Sequence, residues 1–268
     1  MMNYSELQSK LFENAEEGYR DFALGGIITE RPLLGVRVPK CREIAKEIVT
    51  KPDYFEGGIE AFLQNEPVSS EEVLIRGFVI ASLPYDEMVS QIYGFIALID
   101  NWQVCDTFCA AMKKNIAKHK AEFLEEIDKM LKSLDEFQTR VALVCLLDHY
   151  IEADYLAVIF DRINEMAEFL SDGPGEMSVV RAPGEKVGKR VAENVLSWDA
   201  YYVKTAVAWL LSMCFAKFPE ETMQFFKQVR LPKWTFNKTI LKTCESYRVD
   251  KDLKEELREI KRKREKIK

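Results

Sequence analysis

The sequence predicts an all-α protein of the α-α superhelix class, a HEAT/armadillo-like repeat solenoid. Three observations predict it. Apolar residues recur at helical spacing along almost the whole chain. The segments so marked follow one another through short turns, at roughly two helices per 35–45 residues, the rhythm of stacked helix pairs. No pair of alternating apolar runs is joined by a hairpin turn. A plain helical bundle shares the first and third features, and only the pairing rhythm separates the two.

The elements follow in order. In "VPKCREIAKEIV" Pro39 suits a first helical turn, and Cys41, Ile44, Ala45 and Ile48 form one stripe. "SSEEVLIRGFVIASL" (69–83) opens on a serine cap with two early glutamates and closes before Pro84. Further periodic segments cover 85–98, 101–116, 120–132, 135–149, 152–170, 199–217, 219–229, 234–245 and 250–265. "SDGPGEMSVVRAPGEKVGKRVAEN" (171–194) breaks the rhythm with four glycines and two prolines, and predicts a loop insertion. The expectation is a single helical-repeat domain over 1–268, ending in a basic helix at 250–268 whose "KRKREKIK" end projects from the body.

Composition limits the function. Hydrophobic residues make up 47% and charged residues 31% of 268, the balance of a soluble globular protein. No apolar run approaches the roughly 20 residues that cross a bilayer. The polar, acidic N-terminus resembles neither a secretory signal nor a transit peptide, so a cytoplasmic location is expected. The net charge is −6, and residues 251–268 carry nine Lys/Arg against five Asp/Glu, leaving −10 on the rest. Such a body argues against a broad nucleic-acid-binding surface while leaving room for a local basic groove. The six cysteines are dispersed with no CxxC, and with His119 and His149 they offer no zinc set, so no metal is expected.

"LIDNWQVCDTFC" (98–109) carries the sharpest candidates. Trp102 and Asp106 stand four apart, on one helix face, with Asn101 or Asp100 placed to cap it. Trp102 as core and Asp106 as a solvated or ion-paired group is one reading. The other is a carboxylate in a cleft beside an aromatic wall, able to stabilise a developing cation. Spacing leaves both open. Arg140 interrupts the apolar helix "FQTRVALVCLLDHYI", either on its outer face or as a phosphate partner in a cleft. Trp209, in "YYVKTAVAWLLSMCF", is either core or, with Trp198, Tyr201 and Tyr202 nearby, part of an aromatic surface suited to stacking on bases. No Walker loop, G-x-G-x-x-G, H-E-x-x-H or EF-hand pattern occurs.

Those segments, in this order, resemble the HEAT-like-repeat DNA alkylation-repair family, the AlkD-like DNA glycosylases. The resemblance runs through "LLGVRVPKCREIAKEI", "DNWQVCDTFC", "EFQTRVALVCLLDHY", "YYVKTAVAWLLSMCFAKFPE" and "WTFNKTILKTCESYRV", with Arg140 falling 34 residues after Asp106. It implies hydrolytic removal of cationic N3- and N7-alkylated purines from double-stranded DNA, without base flipping, by a monomer needing neither metal nor cofactor. Asp106 matches the catalytic aspartate, Trp102 and Trp209 the aromatics bracketing the deoxyribose, and Arg140 the arginine at the DNA backbone. Two departures accompany it: the acidic body, and the 171–194 insertion within the 69 residues separating Arg140 from Trp209. The alternative is a non-catalytic helical-repeat protein that binds unusual DNA structures or a protein partner.

Overall fold

In a computed structural model of the chain, residues 1–51, 53–172 and 200–266 are described, with side chains to 264. The described residues form fifteen helices and no strand, with isolated bridging residues such as the pair Met2 and Phe55. They separate into two compact units, Met1–Phe123 and Leu124–Lys268. Most of the 171–194 insertion, and Trp198, lie outside the described residues.

The first unit holds α1 (Tyr4–Glu13), α2 (Glu17–Leu24), α3 (Val38–Thr50), α4 (Gly58–Gln64), α5 (Ser70–Ser82), α6 (Tyr85–Ile96), α7 (Trp102–Ala111) and the single turn α8 (Lys113–Ile116). α3, α5 and α7 stack side by side, and α6 packs on α5. As expected, α3 has Pro39 in its first turn and buries Cys41, Ile44, Ala45 and Ile48 on one stripe. α5 is capped by Ser69, whose hydroxyl accepts from the Glu72 amide. It is buried at every position from Ser70 to Ala81 except Arg76, because neighbours cover both its sides. A fully buried Val, Leu, Ile or Phe contributes about 1.5–3 kcal/mol, so this helix is the main apolar anchor of the unit. Gly77 permits its contact with α6: a Cβ there would stand 2.7 Å from Cζ of Phe95. The buried Glu71 carboxylate accepts from the amides of Leu34, Gly35 and Val36 at 3.0, 2.7 and 3.1 Å. That satisfies the buried amides of this irregular stretch. Gly35 has φ +95 and is required, since a Cβ would lie 2.5 Å from the Glu16 carbonyl oxygen.

α9 (Lys120–Lys132) begins in the first unit and ends in the second. The second unit continues with α10 (Glu136–His149), α11 (Ala153–Ala167), α12 (Tyr201–Lys217), α13 (Pro219–Gln228), α14 (Lys233–Glu245) and α15 (Lys251–Lys266). The layering repeats: α10, α12 and α14 stack side by side, α13 packs on α12, and α15 packs on α14. Alternate helices of each unit thus form a continuous layer, the arrangement of an α-α repeat protein and the fold class expected from the periodicity. α10 is buried from Thr139 through Leu147. The outer helices keep one apolar stripe each, as in α11, which buries Leu156, Ile159, Ile163, Met166 and Ala167. Arg162 on α11 grips Asp128 on α9 with two bonds of 2.6 and 2.8 Å.

Three helices, α1, α2 and α4, fall where no periodic segment is expected, and the 101–116 segment breaks at Met112 into α7 and α8. Of the basic tail expected to project, Arg262, Lys263 and Arg264 are exposed, and the side chains beyond them lie outside the described residues. Arg264 turns back onto the body, donating to the Leu231 carbonyl at 2.8 Å and lying 4.2 Å over the Phe236 ring. A guanidinium gains both a carbonyl partner and an aromatic face there, which solvent does not offer together.

Candidate functional site

The first candidate surface is the open side of α7. Val104, Cys105, Phe108 and Cys109 face the core. That leaves Trp102, Asp106 and Ala110, four residues apart, on the opposite side. The start of this helix is held at three points. The Asn101 side chain accepts from the Val104 amide at 3.1 Å and donates to Asp100 at 2.7 Å. Asp100 in turn takes the Thr29 hydroxyl and the Glu30 amide, both at 2.9 Å, with the Arg31 guanidinium 3.5 Å away. Trp102 donates its indole N–H to the Gly26 carbonyl at 2.7 Å. With its polar edge anchored, the indole remains 39% exposed, so it is not a core residue but a rigid aromatic wall. Asp106 is half-buried one turn further on. Past Asp106 come Lys113 and Lys114, both exposed and without an ion pair among the described residues.

The second surface belongs to α12. This helix is buried along most of its circumference, and before its last two residues its less covered positions are Tyr201, Thr205, Trp209 and Met213, again four apart. Trp209 is therefore half-buried on an open stripe rather than sealed in the core. Arg140 lies behind this stripe, not on the outer face of α10: it is 5% exposed. Its guanidinium donates to the Tyr202 carbonyl at 2.8 Å and the Thr205 hydroxyl at 3.2 Å, and sits 5.5 Å over the Tyr202 ring. The Tyr202 amide donates to Glu136 at 2.9 Å, giving α10 a second hold on the start of α12.

The second surface extends onto α14 through residues the sequence reasoning did not single out. Trp234 lies 5.9 Å from Tyr201, ring to ring, and Lys238 stands 5.8 Å over the Trp234 indole. The signal available was the W-x3-K spacing in "WTFNK", which puts an aromatic and a cation on one face of a helix. Trp102 and Asp106 are thus brought together in the first unit, and Arg140 and the Trp209 stripe in the second.

The thiols lie apart from both surfaces' chemistry. Cys41, Cys105, Cys109, Cys145 and Cys214 are buried, and burial pushes the Cys214 thiol up to about 12, far from the thiolate that nucleophiles and zinc ligands require. His119 stacks on Tyr85 at 4.1 Å and 15°. Among the described residues no group of three or more His, Cys, Asp or Glu is arranged to hold a metal ion. No helix among them is long and apolar enough to cross a membrane.

Against known proteins, a sequence model described as "DNA alkylation repair enzyme" matches residues 5–172. The matched stretch includes Trp102, Asp106 and Arg140 and stops before Trp209. Comparison with curated proteins and with solved structures finds no match.

Proposed function

The chain belongs to the DNA alkylation repair enzyme family, and on that premise we propose that it is a DNA glycosylase hydrolysing the N-glycosidic bond of cationic N3- or N7-alkylated purines in duplex DNA. The observation that carries the reading is the open side of α7, where an anchored, exposed tryptophan and a carboxylate stand one turn apart.

The chemistry asks little of the protein beyond that pair. An alkylated purine bears a positive charge in the ground state and leaves as a neutral base. As the bond lengthens, the charge passes to the deoxyribose, which becomes oxocarbenium-like. The Asp106 carboxylate stabilises that cation and orients a water toward C1′; the bond to the base breaks with its electron pair leaving on the neutral base, the water's oxygen forms the new bond to C1′, and one of its protons passes to the Asp106 carboxylate. The face of Trp102 adds a cation–π attraction that grows with the charge on the sugar. Both terms are larger in the transition state than in the ground state, which is what acceleration requires. Lys113 and Lys114 attract the phosphates beyond the lesion. In the same proposal Trp209 presents its face to the sugar, and Arg140 is a positioning residue whose charge also favours the backbone. Its 5% exposure suits holding Tyr202 and Thr205 in place better than reaching outward.

The test is release of 7-methylguanine from methylated duplex DNA by the wild-type protein and by Asp106→Asn, with DNA binding and melting measured on both. Release by wild type, and its loss in a folded Asp106→Asn that still binds, is the expected result. The −10 charge on residues 1–250 favours a second reading, a non-catalytic repeat protein with a basic partner. Absence of release by wild type selects it.

A further inference from the structure

We propose that the cavity lined by Arg230, Lys233 and Arg264 binds a backbone phosphate of duplex DNA away from the lesion, adding a cationic contact to those of Lys113 and Lys114 on an otherwise acidic body. The inference rests on the DNA reading above but not on the chemistry assigned to Asp106. The cavity measures 460 Å³ and lies where the end of α11, the turn before α14 and α15 meet.

Three observations carry it. First, the cations are not spent on partners. Arg230 and Lys233 are exposed and make no hydrogen bond or ion pair among the described residues. Several other cations of this unit are paired, including Lys227 with Glu256 and Arg258 with Glu255. Among the described residues the one carboxylate in the cavity wall, Asp172, accepts from the Trp234 amide at 3.1 Å, and three cations line the same wall.

Second, Arg264 is held in place. Its bond to the Leu231 carbonyl and its position over Phe236 fix the guanidinium at the cavity wall. An arginine positioned in advance loses less entropy on taking a phosphate than a mobile one, and offers its remaining donors in a planar fork. Asn237 adds a neutral hydrogen-bonding group on the next turn of α14.

Third, the surroundings continue as a nucleic acid would need. Trp234 follows Lys233 directly, Lys238 stands over its ring, and Tyr201 lies beyond at 5.9 Å. Alternating cations and aromatic faces match the alternation of phosphate with sugar and base, whereas a free anion would use the cavity alone.

The experiment compares wild type with Arg230→Gln/Lys233→Gln. A control, Lys227→Gln/Arg258→Gln, removes equal charge from already paired positions. Affinity for an undamaged labelled duplex is measured by fluorescence anisotropy across a salt series. Loss of this phosphate contact lowers the slope of log affinity against log salt by about 0.9. We expect that change and at least a tenfold loss of affinity at low salt in the first variant, little change in the control, and unaltered excision at saturating DNA. An unchanged slope, or an equal fall in the control, overturns the proposal. So does protection of wild type by inorganic phosphate, absent in the variant, without any difference in the DNA slope, which assigns the cavity to free phosphate. Failure of Asp106→Asn to affect excision counts against the chemistry assigned to Asp106 alone. A wild type with no duplex affinity overturns both.

Discussion

α7 and α12 solve one structural problem and leave two different surfaces. Each is covered by neighbours on most sides and keeps open a stripe of residues spaced four apart: Trp102–Asp106–Ala110 on the first, Tyr201–Thr205–Trp209–Met213 on the second. The α7 stripe carries a carboxylate and is held at its start by the Asn101 cap and the Trp102–Gly26 bond. The α12 stripe carries no carboxylate and no side-chain cap, and is held from behind by Arg140. A rigid acid beside an aromatic wall is suited to stabilising positive charge. An aromatic stripe backed by a buried cation and continued by Trp234 and Lys238 is suited to an anionic polymer. On the proposed reading, one stripe serves the chemistry and the other the grip.

That division is sharpened by substitutions with graded effects. The largest effect on stability is expected at Arg140. Arg140→Met leaves the Tyr202 carbonyl without its charged donor inside the core, a loss of about 3 kcal/mol in denaturant unfolding, and Arg140→Lys restores only part because a lysine lacks the planar fork. If both variants match wild type in stability, Arg140 does not hold the α12 stripe.

Smaller changes are expected in DNA affinity. Trp209→Ala removes a stacking face and lowers duplex binding by about 1–2 kcal/mol, while Trp102→Ala acts more on excision rate than on affinity. A rate loss from Trp209→Ala larger than that from Trp102→Ala breaks the division. The smallest effect is expected at Asn101→Ala, about 1 kcal/mol of stability from the lost cap of α7. It should also slow excision modestly by loosening the helix that carries Asp106. Slower excision with unchanged DNA affinity is the expected pattern, measured by single-turnover kinetics beside a binding titration.

How far these surfaces were legible in the sequence depended on how each helix is covered. α3 and α11 face solvent on one side, so their apolar stripes and boundaries follow directly from spacing. α5, α10 and α12 are covered on both sides and apolar nearly all round, so periodicity marks them as helices without saying which residues face out. That is why spacing left the outer face open to Arg140 and the core open to Trp209. Trp102 was ambiguous for another reason: its exposure depends on the Gly26 carbonyl, 76 residues away in the chain. α1, α2 and α4 escaped because they are short and polar; α1, for example, buries only Leu7 and Leu11 and relies on distant partners such as Glu72, bonded by Tyr4 at 2.5 Å. Arg264 folded back because its partners, Leu231 and Phe236, come from the α14 region.

The central claim, that α7 performs the chemistry, is tested most directly by single-turnover base excision at saturating methylated DNA for Asp106→Asn and Trp209→Ala in parallel. The account predicts at least a 100-fold fall in rate for Asp106→Asn, about 2.7 kcal/mol of transition-state stabilisation, and a much smaller fall for Trp209→Ala once binding is saturated. Excision at the wild-type rate by a folded Asp106→Asn protein would contradict it.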